Sequence, residues 1–497
     1  MPNIHNLPLF AMVCFVSHVA VCGRIAFTQE PILIGTHAQL VVDDALIASK
    51  QGVARKTHPC QKLPQPVIRA ERPWEGQRVY VYGTALYDEA TNAFRLWYMS
   101  RDQEGTVLDP RLTYSRTDPV LYATSSDGVV WNRPSLKLYA YNGSNDNNIV
   151  FAMHSPSILL DAKDPDPNRR YKMLGCGRTP GKYGYCAATS PDGFHWEGIA
   201  ENPVLQNADT ITLSYDSARN EYLAFHKISG MHRGVKRRLV YLATSRDFRV
   251  WSQPELVLAP DEQDDAWTTA PDQRTEFYNL SAFEYAGQFL GMVTVFKHAR
   301  TLPTRATGQS TNDGPIDVQL VHSRDGRQWR RCEDRSPIIP NGPHAYDAGC
   351  ILGVCNAPVI HNEEVIVYYT AINTTHGGAL PEKQVSVARA TWPKDRFVSL
   401  DADDDGHVET VALKPAGNRL HVNANAKGGS LAAEVLDANG KAIPGYSAVD
   451  CRPATADGLD QPIVWKDHET LPANQPVRLR FRLQRASLYA FAISETG

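Results

Sequence analysis

The chain has 497 residues, too many for one ordinary core, which predicts about two or three domains. Its 51 Lys and Arg nearly cancel its 54 Asp and Glu, so it carries no electrostatic footprint for nucleic acid or an anionic membrane. Glycine (34) and proline (33) punctuate short runs of Val, Tyr, Trp and Thr, a mixture that suits many strands with tight turns and excludes a helical bundle.

The first element is the apolar run LPLFAMVCFVSHVAVCG (7–23), too short for a convincing membrane span. It fits a secretory signal peptide over 1–27, although MPNIHN lacks the usual basic residues, and predicts a secreted or periplasmic protein without a membrane span. A buried N-terminal strand is the alternative. Of nine cysteines, Cys14 and Cys22 leave with such a signal. The rest have no CxxC pair or histidine partners and describe no zinc site, so neither metal nor cofactor is expected. Cys176 with Cys186, and Cys350 with Cys355, can pair if facing strands bring them together; otherwise they are small buried apolar groups.

After QLVVDDALIA (39–48), expected to complete or brace the first or last repeat unit, one phrase recurs. It reads YATSSDGVVW (122–131), AATSPDGFHW (187–196), LATSRDFRVW (242–251) and LVHSRDGRQW (320–329), with a degenerate fifth copy, VARATWPKDRFVSL (387–400). Ser and Asp side chains accept from nearby backbone N–H groups, glycine permits the left-handed turn residue, and Trp returns as an apolar plug. The turn aspartates Asp127, Asp192, Asp247 and Asp325 are therefore structural rather than catalytic. Ahead of each phrase stands a second strand, FRLWYMS, YKMLGCG, YLAFHKI, FLGMVTVF or VIVYYTA. Ahead of that stands a third: VYGTALYD, SPSILLDAK, TITLSYD, FYNLSAFEY or NAPVIHN. Five such units predict a five-bladed β-propeller over 28–400, since closure removes exposed sheet edges. DADDDGHVET reads as a solvated junction. The alternating runs LHVNANA, LAAEVLD, VRLRFRL and LYAFAI beyond it predict a small β-sandwich over 401–497, with Trp465 and Tyr489 its only large aromatics worth testing as a sugar platform. The fold class is thus all-β.

The repeated S-x-D-G-x-x-W turns, followed by EVLDANGKAIPGYS and VRLRFRLQRASLYAF, resemble propeller proteins grouped near glycoside hydrolase families 32 and 43. That resemblance implies carboxylates in a central funnel and hydrolysis of a glycosidic bond in a carbohydrate substrate. The chain departs from family 32 in lacking a WMNDPNG-like start, an RDP triplet and a Glu-Cys pair. The turns also resemble the Asp boxes of sialidases, whose arginine triad is not assignable here.

In a propeller the start of each innermost strand faces the funnel. Acids at these places are Glu75 in RPWEGQRVYVYG, Asp209 in QNADTITLSYD, Glu276 in QRTEFYNLSAF and Asp347 in GPHAYDAGC; the second unit offers Asn147, Asn148 and His154 instead. Glycoside cleavage needs a protonated acid at the leaving oxygen and an ionised carboxylate. The expected roles are Glu276 as general acid, Asp209 as nucleophile or base, and Glu75 orienting sugar or tuning a pKa. Trp74, Tyr278 and Trp267 can stack on sugar faces, Arg78 and Arg274 can bind hydroxyls or an anion, and His154, His344 and Asp347 complete the expected substrate contacts. Each acid can equally cap backbone or pair with arginine. A non-catalytic glycan-binding propeller and a polysaccharide lyase, using His344, Tyr346 and Arg78, remain the alternatives.

Overall fold

The computed structural model describes residues 30–101, 107–207, 209–303, 305–473 and 475–495. The apolar run 7–23 and the expected signal segment lie outside the described residues. Among the described residues, no helix is long and apolar enough to cross a membrane. The fold is all-β, with three-residue 3-10 turns as the only helical elements described.

Each repeat folds into antiparallel strands, the first three as separate sheets and the fourth and fifth joined in one nine-stranded sheet through a single parallel pair, Ile316 and Cys350. In the first, Ala93–Ser100 lies between Pro119–Ser125 and an inner edge supplied by Val79–Tyr80 and Ala85–Asp88, and Ile149–Ala152 adds the outermost strand. The second runs His154–Leu160, Tyr171–Thr179, Lys182–Ser190, Glu197–Gly198; the third runs Ile211–Asp216, Glu221–His232, Val235–Ser245, Glu255–Leu258. The fourth is Arg274–Tyr285, Gln288–His298, Ile316–Ser323 and Arg330–Arg331, and the fifth is Cys350–Val354, Glu364–Ile372 and Val385–Pro393. In the fifth unit the inner edge is split: Cys350–Val354 precedes NAPVIHN and Val359–His361 lies within it, both pairing with Glu364–Ile372. Middle strands read as continuous apolar runs because both faces are covered: Glu364–Ile372 (EVIVYYTAI) is buried at every position after the first.

Side chains of the innermost strands link the units in sequence order. Thr84 Oγ1 donates to Ile158 O (first to second), Leu213 N donates to Ser157 Oγ at 2.8 Å (second to third), and Thr212 Oγ1 donates to Leu280 O (third to fourth). Ser281 Oγ donates to Val354 O at 3.0 Å (fourth to fifth), and Thr84 Oγ1 meets Asn356 Oδ1 at 2.8 Å, returning from fifth to first. The middle strands repeat the order: Tyr368 OH donates to Gly128 O, and Trp97 Nε1 to Gly193 O.

The turn phrase folds as its chemistry dictates. Asp127 Oδ1 accepts from Val129 N (2.8 Å) and Val130 N (2.9 Å) while Ser125 Oγ accepts from Gly128 N; the same pattern recurs at Asp192, Asp247 and Asp325. The third copy lacks glycine, and Phe248 takes the left-handed conformation (φ 64°), a strain offset by burying its ring against Tyr222 and Trp251. Trp131 and Trp329 reach the neighbouring unit edge-on, against Tyr368 and Phe225.

The remaining strands form an eleven-stranded C-terminal sheet. Two expectations are corrected here. QLVVDDALIA supplies no strand to the first or last repeat unit: Gln39–Leu40 pairs with Phe491 and Ala490, Ile47–Gln51 pairs with 407–410, and Asp43 between them meets Arg324 of the fourth unit at 2.6 Å. The strand that completes the fifth unit is Gln61–Lys62, opposite Thr391 and Ala390. Nor is DADDDGHVET a linker. It lies in Val398–Thr410, where Leu400, Ala402 and Val408 are buried and the acids face outward, Asp401 against Lys56. All seven described cysteines are free, because Cys176 faces Tyr185 and not Cys186 across the sheet. Trp465 and Tyr489 are buried, so neither offers a sugar platform.

Asp247→Ala removes the side-chain acceptor of two backbone N–H groups at an exposed turn, a loss comparable to that of a helix cap. It is expected to lower stability by about 0.5–2 kcal/mol in denaturant unfolding.

Candidate functional site

Where the innermost strands begin, a cavity of about 310 Å³ takes lining residues from every one of the five repeat units. Arg78 and Tyr80 come from the first unit, His154 from the second, Asp209 and Arg238 from the third, Tyr278 from the fourth, and Leu352 and Lys383 from the fifth. Two loops close its margin. The hairpin Arg300–Thr301/Asn312–Asp313 carries Arg305, Gly308 and Gln309 at its tip, and the loop after Glu364–Ile372 carries His376 and Lys383. They are locked together: Asp313 Oδ1 accepts from Thr375 Oγ1 (2.6 Å) and Gly377 N (3.0 Å), and Gln309 Nε2 donates to Gly377 O (2.8 Å).

Four sequence-predicted residues meet there: Asp209, Arg78, His154 and Tyr278. The others do not line it. Glu75 is wholly buried; its carboxylate accepts from Tyr98 OH and Arg133 Nε (both 2.6 Å) and from the backbone N of Glu71 and Arg72. Glu276, 1% exposed, is held by Arg274 Nε at 2.6 Å and by Arg238, so it stands in the wall behind Arg238. Trp74 donates to Asn148 Oδ1 and Trp267 to Thr275 Oγ1. Asp347 pairs with Lys62 at 2.6 Å and accepts from Tyr369 OH, while His344 stacks on Tyr346. With His344 and Tyr346 away from the cavity, the lyase reading loses its bases.

Asp209 is the one carboxylate among the described lining residues. Its side chain is 46% exposed, with Lys227 Nζ at 2.5 Å and His154 Nε2 at 3.8 Å. Burial acts to raise its pKa, but Lys227 and His154 overrule burial and keep it well below the usual carboxylate range. His154 sits between two acids, with Asp118 Oδ1 at 3.4 Å from Nδ1. Burial disfavours its imidazolium; Asp118 and Asp209 outweigh that and raise its pKa above the ordinary histidine value. Asp118, despite burial, falls to about 2, chiefly through His154 and then Arg101. The cavity thus holds an ionised carboxylate beside a histidine that keeps its proton to higher pH than usual.

Lys227, Arg238, Arg101, Lys383, Tyr80 and Tyr82 escaped sequence reasoning. Lys227 follows the apolar run YLAFH, Arg238 closes the basic start of VKRRLVYLATS, and Tyr80 and Tyr82 alternate in VYVYG; charge inside a strand with buried neighbours was the usable signal for the first two.

No family model matches the chain, and no curated protein matches it. Among solved structures, a glycoside hydrolase is similar at 15% identity and TM-score 0.43, covering 66% of this chain and 92% of its own. A glycosyl hydrolase from Bacteroides ovatus gives 14% and 0.43, covering 69% and 96%. An α-L-arabinofuranosidase from Podospora anserina in complex with cellotriose gives 10% and 0.41, covering 68% and 98%. Likeness at this level leaves the chemistry to be read from the cavity itself.

Two outcomes separate the structural acids from the open one. Glu75→Gln removes the buried carboxylate from Arg133, leaving it only the exposed Glu71, and is expected to cost about 3–5 kcal/mol in denaturant unfolding, whereas Asp209→Asn, which takes the counter-charge of Lys227 at a half-open position, is expected to cost less. Because the folded His154 pKa is raised, its imidazolium contributes stability fully below the ordinary histidine pKa and loses it as pH rises through the raised value. Asp118→Asn is expected to move that titration to lower pH, measured on the His154 ring by NMR.

Proposed function

We propose that this protein is a glycoside hydrolase-like, carbohydrate-active enzyme, built as a five-bladed β-propeller with a C-terminal β-sandwich and exported by its N-terminal segment. The five-blade reading is supported by inner-strand hydrogen bonds that run from the first unit to the fifth and back. The observation that carries the function is Asp209 beside His154 in a cavity to which all five units contribute.

In this reading a sugar occupies the cavity, and Tyr80, Tyr82 and Tyr278 offer ring faces and hydroxyls to it. Glycosidic cleavage develops positive charge on the sugar and negative charge on the leaving oxygen. Asp209, ionised, faces the first as nucleophile or as the carboxylate that directs water. His154, protonated, gives its Nε2 proton to the second, and Asp118 holds the ring through Nδ1. The acid role that the sequence assigned to Glu276 passes to an imidazolium. Glu276 acts through Arg238, whose guanidinium it fixes over the Tyr278 ring at 5.2 Å from the centroid.

Asp209→Asn and His154→Gln are each expected to reduce release of reducing sugar from a responsive polysaccharide by about a hundredfold or more in variants that remain folded by circular dichroism. Full activity in both variants would sink the assignment. Binding to a glycan array without any release by the wild type would turn the reading to a non-catalytic glycan-binding propeller.

A further inference from the structure

The cavity's charges do not balance. Arg238 is neutralised by Glu276, Lys227 by Asp209, and Arg101 lies 3.8 Å from Asp118. Arg78, Lys383 and Arg305 line the same cavity, and among the described residues none has a carboxylate within ion-pair distance. Lys383 is 7% exposed, and its ammonium reaches only carbonyls, His376 O at 3.0 Å and Gly308 O at 3.5 Å. The Arg78 Nε is buried without a partner. A Cβ added at Gly308 would lie 3.5 Å from Arg78 Nη1, so guanidinium and ammonium converge on one glycine of the hairpin tip. Arg305 stands three residues before that glycine, exposed, its Nε donating to Gln309 O. Like charges gathered in a half-buried hollow repel each other and lose hydration; a bound anion removes both penalties.

Resting on the reading of this cavity as a sugar site, we propose that its substrate is an acidic saccharide, whose carboxylate or sulfate ester sits against Arg78, Lys383 and Arg305. The arrangement suits such a group. A guanidinium offers a planar pair of donors to an oxyanion, and the lysine adds a point charge. Burial and the neighbouring Arg78 both lower the Lys383 pKa, as an ammonium awaiting its counter-charge requires. The anion-holding residues come from the first and fifth units and the hairpin, and Asp209 with His154 from the third and second, so charge recognition and bond cleavage fall on separate residues.

Calorimetric binding of the full chain to three test sugars decides it: oligogalacturonides, a sulfated galacto-oligosaccharide and their neutral galacto-oligosaccharide counterpart, in low and high salt. At least one acidic sugar is expected to bind tenfold or more tighter than the neutral one, with the advantage shrinking as salt rises. The uronate and sulfate arms tell which anion is read. Lys383→Met and Arg78→Met are expected to bring the acidic-to-neutral ratio toward one. Arg305→Ala, on an exposed tip, is expected to lower the ratio severalfold and keeps the test open should the buried variants fail to fold. Equal affinity for acidic and neutral sugars, absence of binding by both acidic sugars, or a ratio unchanged in folded variants would overturn the proposal. The two readings fail separately. Turnover of neutral sugars that depends on Asp209, without charge preference, removes this inference and spares the hydrolase. Charge-dependent binding without cleavage does the reverse.

Discussion

Asn356 carries more of this molecule than any catalytic candidate does. Buried at 2% exposure, it donates to Ile158 O and Leu213 O and meets Thr84 Oγ1, so one amide ties the innermost strands of the fifth, first, second and third units. A buried amide whose hydrogen bonds are all made specifies one arrangement, since any slip of a neighbouring strand leaves polar groups unpaired in an apolar surround. The cavity depends on that register. His154 starts the strand that contains Ile158, Asp209 lies two residues before the strand that contains Leu213, and Arg78 precedes the strand next to Thr84. Fixing the strands relative to one another fixes the side chains at their starts.

The same economy decides which acids remain free to act. Glu75 and Glu276 sit at starts of inner strands as Asp209 does, but each met arginines that the fold had already buried. An arginine without a partner in such a place is more costly than a carboxylate spent on it. Asp209 met Lys227 and a histidine and kept nearly half its side chain open. Reactivity here is what structural pairing leaves over, and Arg78 and Lys383 are the cationic remainder.

How far the sequence could be read follows from the range of each interaction. The Ser-x-Asp turns are local: Asp127 bonds residues two and three positions away, so the phrase announces itself in each copy and the all-β class with it. The fate of Glu75 was set by Arg133 and Tyr98, and that of Gln39–Leu40 by Phe491 near the far end; no window of sequence contains both partners. DADDDG misled because its acids are solvated in fact, while the alternate residues Leu400 and Ala402 are buried; period-two alternation outweighed net charge. Phe248 shows the opposite error avoided, where a missing glycine did not abolish the turn because ring burial compensates for its left-handed backbone.

The pairing of Gln61–Lys62 with Thr391 and Ala390 has a consequence for biosynthesis. The last repeat cannot be sealed by the polypeptide that immediately precedes or follows it; its final strand is made early and must wait, unpaired, while the intervening units emerge. The segments Ile47–Gln51 and Gln39–Leu40 wait longer still, the first for 407–410 and the second for Ala490 and Phe491. A nascent chain halted before Val385–Pro393 would hold four finished units and a dangling, strand-competent arm, the species most open to capture by chaperones or by another copy of itself.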